Sequence, residues 1–141
     1  MTDPSPVHAT TVAVRRDGAW TAVMVLGPSG AGKSDLALRC LDHGFRLVAD
    51  DRVITWVSGG RLFGRAPDSL VGQMEIRGVG VRPVASIAQA PVALWIRLGT
   101  PERLPDLETV THLGVEIPLL ALAGLENSAP VKLSHALDSL G

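Results

Sequence analysis

Apolar residues recur along this chain in short, often β-branched runs separated by glycine, proline and charge. After a loose lead-in over residues 1–6, Val7–Val14 (VHATTVAV) has the composition of a strand, and Arg15–Gly18 (RRDG) reads as a hairpin turn. Thr21–Leu26 (TAVMVL) is continuously apolar and predicts a buried strand. The period then changes. From Lys33 to about His43 the residues Leu36, Ala37, Cys40 and Leu41 fall on one stripe, the core face of a helix, with Gly44 placed as its left-handed terminator. Phe45–Ala49 (FRLVA) returns as a strand and delivers Asp50 and Asp51 at its C-terminal end.

Further along, Val53–Val57 and Arg61–Arg65 flank Ser58–Gly60 as a hairpin. Ala66–Gln73 is irregular or a short helix, and Met74–Val81 (MEIRGVGV) is punctuated by glycine. Pro91–Leu98 and Val115–Ala121 predict two more strands around a polar, proline-containing loop at Gly99–Thr109, and Ala129–Leu140 predicts one short helix. Strand, loop, helix and strand followed by several strands argue for one α/β domain with a mixed β-sheet.

Composition narrows the function classes. At 141 residues the chain is sized for a single domain, taken as 1–141. Lys and Arg number 13 against 14 Asp and Glu, so the balance gives no general electrostatic case for nucleic acid or an anionic membrane. With three Trp, two Phe and no Tyr, little is left for base-stacking surfaces, and the tryptophans are expected in packing. The lone Cys40 excludes an intrachain disulfide and reads as a small buried hydrophobe. His112 and His135 show no ligand spacing, and His43 suits a helix C-terminus. The opening MTDPSP is unlike a signal sequence, and the longest apolar run, Ile117–Leu125, is broken by Pro118 and Gly124. A bilayer needs about 20 such residues, so a cytoplasmic protein is expected.

Gly27-Pro28-Ser29-Gly30-Ala31-Gly32-Lys33-Ser34 matches G-x-x-x-x-G-K-S/T at every fixed position, between an apolar strand and an amphipathic helix. The glycines let successive N–H groups turn inward around phosphate oxygens, and the helix adds its positive end. Lys33 would span the terminal phosphates, and the Ser34 hydroxyl would ligate Mg²⁺. Such a loop needs a carboxylate near the metal, and Asp50 and Asp51 follow the next strand. Adjacent carboxylates at a strand end face opposite sides, so one would serve metal while the other accepts a proton. Glu75, taken alone in its EIRG stretch, reads as a half-buried strand residue with a surface ion pair.

A strand histidine, GPSGAGKS, RLVADDRV and MEIRGVGV occur here in one order, and together they resemble the catalytic domain of HPr kinase/phosphorylase over about residues 7–120. The resemblance implies a P-loop fold related to phosphoenolpyruvate carboxykinase, and ATP with Mg²⁺ as cofactors. It implies a protein serine kinase, with a phosphorylase reaction as well, acting on a seryl residue of an HPr-like phosphocarrier of the phosphotransferase system. Carried onto this chain, His8 lies beside the phosphates and Lys33 binds them. Ser34 and Glu75 are the metal ligands, with Asp50 close by, and Asp51 is the acid/base residue. Arg77 and Gly78 fall in a signature used in both directions. The family's late catalytic arginine has Arg103 and the Thr111–Gly114 stretch as its candidates here, and Lys132 echoes a late basic segment. A homohexamer is also implied, while the family's N-terminal regulatory domain has no counterpart expected here, and a link to a two-component regulator is a separate expectation. Two other readings stand beside it: a P-loop kinase of a small metabolite, and a non-catalytic nucleotide-sensing module.

Overall fold

The computed structural model describes residues 4–140, and the start of the expected lead-in, residues 1–3, lies outside them. The strands are β1 (Ser5–Val7), β2 (Thr10–Arg16), β3 (Ala19–Leu26), β4 (Arg46–Ala49), β5 (Val53–Ser58), β6 (Arg61–Arg65), β7 (Gln73–Ile76), β8 (Gly80–Pro83), β9 (Gln89–Leu98), β10 (Glu108–His112) and β11 (Val115–Leu122). Two helices, α1 (Lys33–Leu41) and α2 (Ala129–Ser139), complete the mixed α/β fold. Among the described residues no helix is long and apolar enough to cross a membrane.

Nine strands form one curled mixed sheet in the order β1-β5-β6-β9-β3-β2-β4, with β11 also on β9 and β10 on β11. The ten-residue β9 makes this possible. Its first residues, Gln89–Pro91, pair antiparallel with β6, while Trp95–Leu98 pair parallel with β11 on the same flank. The two branches meet where His112 of β10 reaches Thr55 of β5, with 2.9 Å between Nε2 and Oγ1.

The unbroken apolar run of β3 is explained by burial on both faces. Val23 and Val25 face a core shared with Leu36, Cys40, Phe45, Leu133 and Leu137 under the two helices. Ala22 and Met24 face a second core inside the curl, with Val48, Val53, Leu62, Trp95 and Ile117. The helix stripe lands as expected, with Leu36, Ala37 and Cys40 fully buried and Gly44 at φ 85 ending the turn. The Ser58–Gly60 hairpin also forms, its two turn residues Gly59 and Gly60 both at positive φ.

Four expectations are corrected. Residues 5–6 are not loose, because Ser5–Val7 adds an edge strand to β5, where Pro6 suits a strand with one unpaired side. His8 is therefore not on a strand but at the bend where the chain leaves β1 for β2. The turn after β2 is tighter than Arg15–Gly18, with only Asp17 and Gly18 left out of the ladder. The loop expected at Gly99–Thr109 ends at residue 107, since Glu108–His112 pairs with β11 as β10.

Candidate functional site

Strand direction brings the site together. β2 is antiparallel to both β3 and β4, so β4 runs parallel to β3. The C-terminal ends of β3 and β4 and the N-terminal end of β2 therefore share one edge of the sheet. Gly27 leaves β3 there, Asp50 and Asp51 leave β4, and His8 and Thr10 enter β2. A strand thus separates the loop strand from the acidic strand, and its Thr10 lies between them.

The loop from Gly27 to Lys33 curls tightly. Ala31 N–H donates to the Pro28 carbonyl at 3.0 Å, Gly30 and Gly32 take φ of 83° and 98°, and Leu36 N–H donates to the Gly32 carbonyl to open α1. A side chain at Gly32 would also meet Leu125, whose Cδ2 is 2.8 Å from the ideal Cβ position. Ser29 and Gly30 face solvent at the tip. Lys33 is buried, and its Nζ donates to the carbonyls of Gly27 at 2.8 Å and Pro28 at 3.2 Å. An ammonium has three N–H groups, so one remains for a ligand inside the curl.

Asp50 and Asp51 point to different sides, as adjacent strand-end residues should. Asp50 is buried, and its Oδ1 accepts from Ser34 Oγ at 2.6 Å and from Thr10 Oγ1 at 3.3 Å. Its Oδ2 accepts from the Glu75 backbone N–H at 3.2 Å. Asp51 turns outward, its side chain 67% exposed, with its backbone N–H donating to Thr10 Oγ1 at 3.0 Å. The Arg52 N–H bonds to the Asp50 carbonyl at 2.7 Å, closing a three-residue turn with Asp51 at its centre and φ at 65°. His8 Nδ1 lies 3.9 Å from Asp51 Oδ1, both side chains open to solvent.

Thr10 was not singled out from the sequence. It is fully buried, gives its proton to Asp50 and receives one from Asp51 N–H, so it locks the two carboxylates relative to each other. Its signal was the polar pair Thr10-Thr11 at the head of the apolar stretch Val12–Val14. Glu75 is tied in by its main chain, while its side chain is exposed at the start of a hairpin that the EIRG stretch makes with Gly80–Pro83. Arg77 and Gly78 form the exposed tip of that hairpin.

Among the described residues no three His, Cys, Asp or Glu side chains gather as a metal site. Ser34 Oγ and Asp50 Oδ1 are nevertheless paired hard oxygen donors at the mouth of the loop. The late candidates separate. Arg103 is exposed in the 99–107 loop, which leaves β9 at the site edge, whereas Leu113 and Gly114, at φ 50° and 80°, turn the β10–β11 hairpin at the opposite edge. Thr111–Gly114 is thus a hairpin tip remote from Lys33. Lys132 is held on α2 by Glu126 at 2.5 Å. On the other side of β3 from the carboxylates, a cleft of about 470 Å³ opens against Pro28 and Ala31 of the loop, between Leu98 and the Ala123–Leu125 segment.

Fold and site define a class of protein: an α/β domain in which a glycine-rich loop, a buried lysine and a split carboxylate pair share one edge of a curled mixed sheet. The chain belongs to the family of the HPr serine kinase C-terminal domain, whose model matches residues 1–90. It is similar to HPr kinase/phosphorylase of Brevibacillus brevis, 36% identical over 71% of this chain and 37% of that protein. To HPr kinase/phosphorylase of Chlorobium phaeobacteroides it is 38% identical over 71% of this chain and 34% of that one. It thus spans about a third of the length of these curated relatives. Among solved structures it resembles the Hpr(Ser) kinase/phosphatase from Coxiella burnetii, with a TM-score of 0.79 and 26% identity over 97% of this chain and 99% of that one.

Proposed function

We propose that this chain is a P-loop catalytic domain, arranged as in phosphoenolpyruvate carboxykinase, that transfers the terminal phosphoryl group of ATP to a serine hydroxyl of an HPr-like phosphocarrier protein. The observation that carries this reading is the connected set Ser34–Asp50–Thr10–Asp51, which joins the phosphate loop to an exposed carboxylate. The relatives' names and family membership support the same activity.

The geometry supports the following roles. The N–H groups of Gly27–Ser34 and the start of α1 receive the phosphates, and the free N–H of Lys33 faces the charge that develops on them. Ser34 and Asp50 would hold Mg²⁺, with the Glu75 carboxylate joining from the neighbouring hairpin, and the donor set fits a cation that shares its shell with water and phosphate. Held there by Ser34, Asp50 and Glu75, such an ion would supply charge neutralisation for the phosphates. Asp51, outside the metal shell and exposed to an incoming protein, takes the proton of the serine hydroxyl as the serine oxygen bonds to the terminal phosphorus, the bond from that phosphorus to the bridging oxygen breaks, and ADP leaves. His8 stands beside it at 3.9 Å, and Arg77 presents a cation to the phosphoprotein from its hairpin tip. In the phosphorylase direction inorganic phosphate attacks the phosphoserine, the serine oxygen leaves with the proton that Asp51 held, and pyrophosphate forms. A hexameric assembly belongs to the same proposal.

The test is incubation of the purified protein with Mg²⁺, γ-labelled ATP and an HPr-like protein. Label on a serine of that partner is the expected result. Nucleotide binding without any transfer to a protein serine would refute it.

A further inference from the structure

We propose that the apolar cleft beside the glycine-rich loop seats the purine base of the nucleotide. The inference rests on the phosphate-loop reading above and gives the nucleotide a direction. Asp50 and Asp51 lie on one side of β3, across β2 and β4, while the cleft lies on the other side, over the C-terminal ends of β9 and β11. A triphosphate lying in the loop with its terminal phosphate toward Asp51 therefore points its nucleoside end into the cleft.

The lining suits a flat aromatic group. Pro28 and Ala31 give one wall, Leu98 the floor, and Ala123, Gly124 and Leu125 the opposite wall, with about 470 Å³ between them. That opposite wall is fixed to the phosphate-binding helix. Arg39 of α1, held by Asp35 at 3.0 Å, donates to the carbonyl of Glu126 at 2.8 Å and to that of Gly124. Gly124 sits so close to Leu98 that a Cβ would fall 2.6 Å from its Cδ2, which packs floor and wall together. The Glu126 carboxylate at the rim is already engaged by Lys132 at 2.5 Å. Base recognition here is by shape and apolar contact.

Calorimetric titration with ATP and with inorganic tripolyphosphate separates base from phosphate binding. The wild-type protein is expected to bind ATP at least about tenfold more tightly than tripolyphosphate. In Ala123→Trp, which fills the cleft, ATP affinity falls by about tenfold while tripolyphosphate stays within about twofold. Leu125→Gln, at a side chain 71% exposed and therefore harmless to folding, weakens ATP alone by about threefold. Equal wild-type affinity for the two ligands, or ATP affinity unchanged in both variants, would overturn the subsite. A protein that binds neither ligand would remove the phosphate-loop reading together with it. One that binds ATP through the cleft yet labels no protein serine would count against the kinase reading and leave the subsite standing.

Discussion

Asp51 holds a backbone conformation that side chains other than glycine, asparagine and aspartate seldom adopt, with φ at 65° inside a three-residue turn. Such strain persists where surrounding bonds over-determine it, and here the Thr10 hydroxyl and the Asp50 carbonyl do so. Relief is a testable outcome: Asp51→Gly is expected to unfold at equal or higher denaturant, with a gain of up to about 1 kcal/mol, while losing phosphoryl transfer. Thr10→Val should act in the opposite sense. It leaves the Asp51 N–H without its acceptor and removes one of the two donors to Asp50 Oδ1, for a loss of about 1–3 kcal/mol in equilibrium unfolding. At this scale the loop and acidic-pair residues that gather at the edge were legible, because each motif is local in the chain. Thr10 escaped because its importance comes from lying 40 residues from Asp50 in sequence and beside it in space.

Among the elements, the loop–helix unit is the most legible and the most constrained. Glycine is required at position 32 both by φ 98° and by Leu125 across from it. Gly32→Ala is expected to cost about 1–2 kcal/mol from backbone conformation and to weaken nucleotide binding, checked by thermal unfolding and titration. The helix stripe has its own consequence. Burial against the core pushes the Cys40 thiol up to about 12, the nearby Arg39 opposing only weakly. Native protein at pH 8 should therefore resist thiol reagents and react only when denatured, and fast labelling of the native protein would contradict the packing described. Elements with an apolar period were readable, including β3, α1 and the Gly59–Gly60 hairpin. β1 and β10 were not, since Ser5–Val7 and Glu108–His112 are edge strands with little apolar pattern of their own, β1 taking its ladder from distant β5 and β10 from its hairpin partner β11.

For the whole molecule, the curl of the sheet is the feature that no local pattern announced. It depends on β9 changing partners from β6 to β11 along its length, and on the meeting of the two branches at Thr55 and His112. The Thr55 hydroxyl gives its proton to the Ser5 carbonyl at 2.7 Å, so His112 must donate from Nε2. Burial lowers the His112 pKa below its ordinary 6.5. The unfolded chain therefore binds this proton more readily, and the stability from neutral His112 is complete above about pH 6.5 and is lost as pH falls toward the folded-state value. Urea titrations across that range should show this slope, and His112→Gln should flatten it.

The same long-range architecture places the loop, the buried Asp50 and the outward Asp51 on one edge, which is the basis of the proposed chemistry. The most direct measurement is single-turnover transfer of labelled phosphoryl from ATP to the serine of an HPr-like protein, with ATP affinity measured on the same preparations of wild type and Asp51→Asn. The account predicts transfer by the wild type, ATP affinity within about twofold in the variant, and a transfer rate lower by about 10²–10⁴-fold. Transfer at an undiminished rate in Asp51→Asn would contradict it.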